Sequence, residues 1–183
     1  MGTGKNLGRT ACIGVGAAGS ISFEWGDGYR MADTMDDRTI YRRSGKQAEH
    51  EGARILIAED SPLHRALITI QLTMAGYVVE EVYNGIEAVS RIENSAPGYY
   101  DAVVMDVYMP VIDGIEATKR IRALPDPFRA SVPITALSSD STEAEKELAL
   151  RSGMDEYLVK PPDQDVLVDA IELIIRKHEE ENA

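Results

Sequence analysis

Residues 53–62 read ARILIAEDSP, and this short stretch decides the fold. Ile55, Leu56 and Ile57 form an apolar run of strand length over 53–58. Two acids follow it directly, Glu59 and Asp60. Ser61 then supplies a side-chain acceptor for the start of a helix, and Pro62 sits at the first helical position, where a missing N–H costs nothing. A strand that passes through two acids into a capped helix is the opening of a βα unit.

The same alternation repeats five times along the chain. The first helix runs to about Ala75 and is stopped by Gly76. Strand two covers about 77–82, and Asn84-Gly85 turns into helix two, about 86–95, closed by Pro97-Gly98. Strand three is about 101–105, helix three about 114–123, strand four about 132–136 and helix four about 141–152. Strand five is about 156–159. Helix five is about 163–178, with Ile171, Ile174 and Ile175 on its inner face. Apolar runs that alternate with amphipathic segments predict an α/β domain with a doubly wound parallel sheet and crossover helices. The domain is expected over 53–180, with 181–183 as a tail.

Upstream, residues 1–52 hold 10 of the 15 glycines and no pattern that lasts, so they are expected to be a largely disordered extension. Deleting residues 1–50 is expected to leave folding and function intact. The sequence carries a net charge of −12, all of it on residues 53–183, which hold 12 basic and 24 acidic residues. An excess of acid of that size speaks against direct nucleic acid binding, which depends on Lys and Arg neutralising phosphates. No apolar run approaches the roughly 18 residues of a membrane span. The start of the chain has no signal-peptide pattern, and a single cysteine, Cys12, fits a reducing compartment. These features predict a cytoplasmic protein without membrane contact.

Four separated pieces carry chemistry: Glu59-Asp60 after strand one, Asp106 after strand three, Ser138 after strand four and Lys160 after strand five. In a parallel sheet these loops open on one edge, at the carboxyl ends of the strands, where such folds bind ligands. Three carboxylates gathered there repel one another, and a divalent cation relieves the repulsion. An oxygen-only ligand set favours Mg²⁺.

The stretches ILIAEDS (55–61), VVMDVYMPVIDGIEATKRIR (103–122), VPITALSSD (132–140) and DEYLVKP (155–161) resemble the receiver domain of two-component response regulators. The resemblance covers roughly 70% of the chain, and its flavour is that of receivers served by hybrid histidine kinases. It implies a flavodoxin-like (βα)5 fold with five parallel strands in the order 2-1-3-4-5. It also implies roles for individual residues. Asp106 would be the nucleophile and phosphoacceptor. Glu59, Asp60, Asp106 and the backbone carbonyl of Tyr108 would hold Mg²⁺. Lys160 would pair with the phosphoryl oxygens. Ser138 would move toward the phosphoryl group, and Tyr157 would turn inward as Ser138 moves. The Lys160–Pro161 peptide is expected to be cis. The partner would be a histidine kinase or a histidine phosphotransfer protein. The altered face of helix four, strand five and helix five would be read by a downstream protein. No DNA-binding output domain is visible in the sequence, so output is expected to run through a partner or through phosphate relay.

The chain departs from the family pattern at several positions. Ser138 stands where Thr is frequent, Ser139 where Ala is usual, and Asp140 adds charge at the rim. Tyr108 is bulkier than many residues at its position. His64 stands where Asn is common, and it reads as a surface residue of helix one.

Phosphohydrolases with an aspartyl-phosphate carry a second acid two residues after the nucleophile; here that position is Tyr108. The protein is therefore expected to catalyse only its own phosphorylation and dephosphorylation. A receiver segment of a hybrid histidine kinase and a phosphorylation-independent pseudo-receiver are the alternatives. Gly14–Gly19 spell G-x-G-x-x-G, but no βαβ unit fits around them. Gly2-Thr3-Gly4-Lys5 lacks the rest of a P-loop.

Overall fold

The computed structural model describes residues 45–183 and, upstream, the backbone of three short strands. Those strands are β1 (Cys12–Val15), β2 (Ile21–Trp25) and β3 (Tyr29–Arg30). They form an antiparallel meander of their own, where the sequence led us to expect no regular structure. Ile13 and Val15 in β1 and Ile21, Phe23 and Trp25 in β2 are β-branched or aromatic, residue types that favour pairing. The antiparallel pairing of β1 with β2 confirms that Gly14–Gly19 do not open a βαβ unit. Apart from residues 45–52, the remainder of the expected disordered extension, including the P-loop-like residues at its start, lies outside the described residues.

The main unit is a five-stranded parallel sheet. Its strands are β4 (Arg54–Ala58), β5 (Val78–Val82), β6 (Ala102–Asp106), β7 (Ile134–Ser138) and β8 (Glu156–Val159). They lie in the order β5-β4-β6-β7-β8, which is 2-1-3-4-5 counted within the unit, as expected. The helices are α1 (Pro62–Ala75), α2 (Gly85–Asn94), α3 (Gly114–Arg122), α4 (Pro127–Ala130), α5 (Glu143–Arg151) and α6 (Gln164–Asn182). Because side chains alternate along a strand, each strand feeds two cores. Ile55 and Ile57 of β4 pack with Ile68 and Leu72 of α1 and with Leu167, Ile171 and Ile174 of α6. Leu56 and Ala58 point the other way, toward Ala88 and Ile92 of α2 and Ala117 and Ile121 of α3. A sheet buried on both faces leaves only its edges and strand ends for chemistry.

Several boundaries differ from the sequence reading. β7 begins at Ile134 rather than 132, because Pro133 lacks the N–H that a central strand must donate. Asp106 and Ser138 are therefore the last residues of their strands, not loop residues. The single turn α4, capped by Asp126 accepting from the Arg129 amide at 3.0 Å, is too short to show a periodicity. α6 runs on to Asn182, through the expected tail.

Described residues upstream of Ala53 also pack on this unit. Residues 46–52 lie along the domain as a strap. The Ala48 amide donates to Ala75 O and the Gly52 amide to Gly76 O, both at 2.9 Å. The Lys46 amide donates to Asp165 Oδ1 at 2.6 Å, and its ammonium pairs with Asp169. Glu172 of α6, 1% exposed, anchors the middle. It accepts from the amides of Glu49 and His50 at 3.0 and 3.2 Å, from Tyr77 Oη at 2.6 Å and from the His50 ring. Burial pushes the Glu172 carboxyl upward, but the hydrogen bonds from Tyr77 and His50 more than offset it, and the net shift is downward. Its hydrogen bond in turn raises His50. No described helix is long and apolar enough to cross a membrane.

Candidate functional site

The carboxyl ends of β4, β6, β7 and β8 bring the sequence-selected residues together. Glu59 follows β4 and is 1% exposed; Asp106 closes β6 at 4%. Lys160, after β8, reaches both: its ammonium lies 2.6 Å from Glu59 Oε2 and 2.7 Å from Asp106 Oδ2. The Lys160–Pro161 peptide is cis, as expected. Asp60 is exposed at the mouth. Ser61 caps α1, accepting from the His64 amide at 3.5 Å, so the two acids are held at the junction of strand and helix. Arg65 Nη1 fixes the backbone there by donating to Glu59 O at 2.8 Å.

The loop after Asp106 folds back tightly. The Tyr108 amide donates to Asp106 Oδ1 at 3.1 Å, and the Gly114 amide to Val107 O at 2.9 Å. A Cβ on Gly114 would fall 2.2 Å from Asp106 O, so only glycine lets α3 start this close to the acceptor strand. Val111 in the same loop has a φ of 76°, a conformation that a β-branched residue adopts only under constraint. Neither feature was anticipated from the sequence.

Electrostatically the cluster is under-supplied with donors. Burial pushes the Asp106 carboxyl up to about 6, against the opposing pull of Lys160. Glu59 Oε2 is buried and accepts no hydrogen bond of good geometry; its ion pair with Lys160 is the compensation it has. Oxygens of Glu59, Asp60 and Asp106 all lie within 4.8 Å of one another. An oxygen-only set with a buried, unbonded carboxylate oxygen fits a hard divalent cation such as Mg²⁺.

His64, expected at the surface, is half-buried on α1 and stands with Nδ1 3.5 Å from Glu59 Oε1, at the rim of the site. Ser138 and Tyr157 are where the sequence put them, with one difference. Tyr157 is already turned inward, 8% exposed, its hydroxyl donating to Asp140 O at 2.7 Å and Glu145 Oε1 at 2.9 Å. The fully buried Ser138 hydroxyl also donates to Glu145. Glu145, on the first turn of α5, was not singled out in the sequence. It sits in TEAEKELALR, where it is indistinguishable from solvated helix acids, and only the tertiary structure shows it 8% exposed.

Known proteins share this arrangement. The response regulator receiver domain family matches residues 55–172. A two-component response regulator of rice, ORR41, is 40% identical over 110 residues, covering 59% of this chain and 83% of that protein. The peroxide stress-activated histidine kinase mak2 of Schizosaccharomyces pombe is 33% identical over 145 residues, which is 78% of this chain and 6% of the kinase. The receiver domain of the sensor histidine kinase PA1611 from Pseudomonas aeruginosa, solved with a magnesium ion coordinated in its active-site cleft, matches with a TM-score of 0.62 at 37% identity. That match covers 68% of this chain and 98% of the other.

Proposed function

The chain belongs to the response regulator receiver domain family of two-component signalling, and from that premise we propose that Asp106 accepts a phosphoryl group in a Mg²⁺-dependent step. The observation that carries this reading is the buried Glu59–Lys160–Asp106 cluster at the sheet's carboxyl edge, where two carboxylates share one ammonium. Glu59, Asp60, Asp106 and the Tyr108 carbonyl would hold the ion, which would supply charge neutralisation there.

An Asp106 carboxylate oxygen attacks phosphorus; the new O–P bond forms as the donor's bond to phosphorus breaks and the donor leaves with its electron pair. Lys160 is already at hydrogen-bond distance from Asp106 Oδ2 and balances the charge that accumulates on the phosphoryl oxygens. The backbone amide of Tyr108 fixes Asp106 Oδ1 and so orients the attacking group. The chain catalyses its own phosphorylation and dephosphorylation and nothing further.

The donor would be a histidine kinase or a histidine phosphotransfer protein in a cytoplasmic relay. The response would be read on α5, β8 and α6, where Leu148, Val159 and Val166 stand exposed. The chain spans 6% to 14% of the histidine kinases it matches, and a receiver carried by such a kinase would use the same acceptor chemistry. Incubation with acetyl phosphate and Mg²⁺ tests the reading. One phosphoryl group per chain is expected, absent in Asp106→Asn and without Mg²⁺. Undiminished labelling of that variant would falsify the assignment.

A further inference from the structure

Among the described residues, Glu145 is the one buried carboxylate near the site that the acceptor chemistry does not use. It receives three hydroxyls from three different elements. Ser138 Oγ, at the end of β7, donates to Oε1. Tyr157 Oη, on β8, lies 2.9 Å from the same oxygen. Tyr108 Oη, from the loop after Asp106, donates to Oε2. A serine hydroxyl has a single proton. Here that proton is committed to Glu145, while the Ser138 oxygen accepts from the Asp140 amide at 3.1 Å.

We propose that Glu145 is the positioning residue of the switch: it holds the Ser138 hydroxyl, and a phosphoryl group on Asp106 must win that hydroxyl away before the state can change. The proposal rests on Asp106 being the acceptor. The physical basis is competition between two anions for one donor. A hydrogen bond to an ionised carboxylate is about twice as strong as a neutral one, so its loss opposes phosphorylation. Tyr157 is already inward, so the transmitted event is the release of Ser138 from α5 rather than a ring rotation. Once Ser138 leaves, Glu145 keeps Tyr108 and Tyr157, and the first turn of α5 is tied to the rim loop and β8 alone. Glu145 thereby couples occupancy of Asp106 to the face formed by α5 and β8.

Beryllofluoride with Mg²⁺, a phosphoryl mimic, provides the test. Its half-saturating concentration is read from NMR shifts at Ser138 and Tyr157 in the full chain. Glu145→Ala should bind the mimic about tenfold more tightly than the parent, and the near-isosteric Glu145→Gln about threefold. Both gains should vanish in a Ser138→Ala background, an outcome that general loosening of α5 would not produce. Equal affinity in the parent and both Glu145 variants overturns the proposal, as does a gain that persists without the Ser138 hydroxyl. If the parent itself shows no response to beryllofluoride, the acceptor reading falls first and this proposal falls with it.

Discussion

Glu172 and Glu59 are both 1% exposed, and the protein treats them in opposite ways. Glu172 is surrounded by donors: two backbone amides, the Tyr77 hydroxyl and the His50 ring. Its carboxyl is held below the ordinary range. Glu59 has fewer: Oε1 accepts from the Ser61 amide at 3.2 Å, Oε2 has only the Lys160 ammonium at 2.6 Å, which it shares with Asp106, and Asp106 is pushed up to about 6. A buried carboxylate supplied with donors stabilises the fold. One left short of them costs stability, and it persists where a ligand will complete it. The contrast separates a structural anchor from a site without reference to any relative.

The largest expected effect is on the anchor. Glu172→Ala leaves two amides, a phenol and an imidazole without their acceptor and should cost about 3 kcal/mol in denaturant unfolding. Metal-free Glu59→Gln should change stability by under about 1 kcal/mol, since Lys160 keeps Asp106 as its partner and one of two mutually repelling carboxylates is removed. Equal losses in the two variants would erase the distinction.

Truncation gives the next effect. The sequence alone led us to expect residues 1–50 to be dispensable, but residues 46–52 carry the strap. A chain starting at Ala53 should lose about 2 kcal/mol relative to one starting at Gly45, because it abandons the Glu172 anchor and the backbone bonds to Ala75 and Gly76. Matching denaturation midpoints for the two truncations would show that the strap contributes nothing.

Magnesium should act only at the donor-poor cluster. Millimolar Mg²⁺ is expected to raise the melting temperature of the parent by a few degrees through mass action. Asp60→Ala should remove most of that shift and Glu172→Gln none of it. A shift preserved in Asp60→Ala would place the cation elsewhere.

The smallest effect is the pH dependence of the anchor. Glu172 is shifted down from its ordinary 4.5, so its contribution is complete above 4.5 and is lost as pH falls through the lowered value. His50 is shifted up from 6.5, so its contribution is complete below 6.5 and is lost as pH rises through the raised value. The pair therefore stabilises most between those limits. The deficit of His50→Asn should stay under about 1 kcal/mol, be largest between the two ordinary values and shrink as pH rises past 6.5 through the raised value. A deficit that grows with pH would contradict the assigned ion pair.

The chain's periodicity disclosed the parallel sheet, the two faces of α6 and the gathering of Glu59, Asp60, Asp106, Ser138 and Lys160, because these follow from alternation and strand ends. It did not disclose the strap. Gln47, Ala48 and Glu49 carry no pattern, and their role depends on backbone bonds to distant elements. Glu172 left a signal that went unread: it lies on the apolar stripe of α6, four residues after Val168 and three before Ile175, where a solvated acid does not belong. Glu145 left none, since acids flank it on both sides in α5. The inward position of Tyr157 was likewise invisible, being set by Glu145 and Asp140 across the fold.

The central claim is that, of the acids at the sheet's carboxyl edge, Asp106 alone carries the phosphoryl group. An acyl phosphate is reduced by borohydride to the corresponding alcohol, so a phosphorylated aspartate becomes homoserine and is located by peptide mass spectrometry. After incubation with acetyl phosphate and Mg²⁺, homoserine should appear at position 106 and nowhere else. Homoserine at position 60, or a fully phosphorylated chain with an unreduced Asp106, would contradict the account.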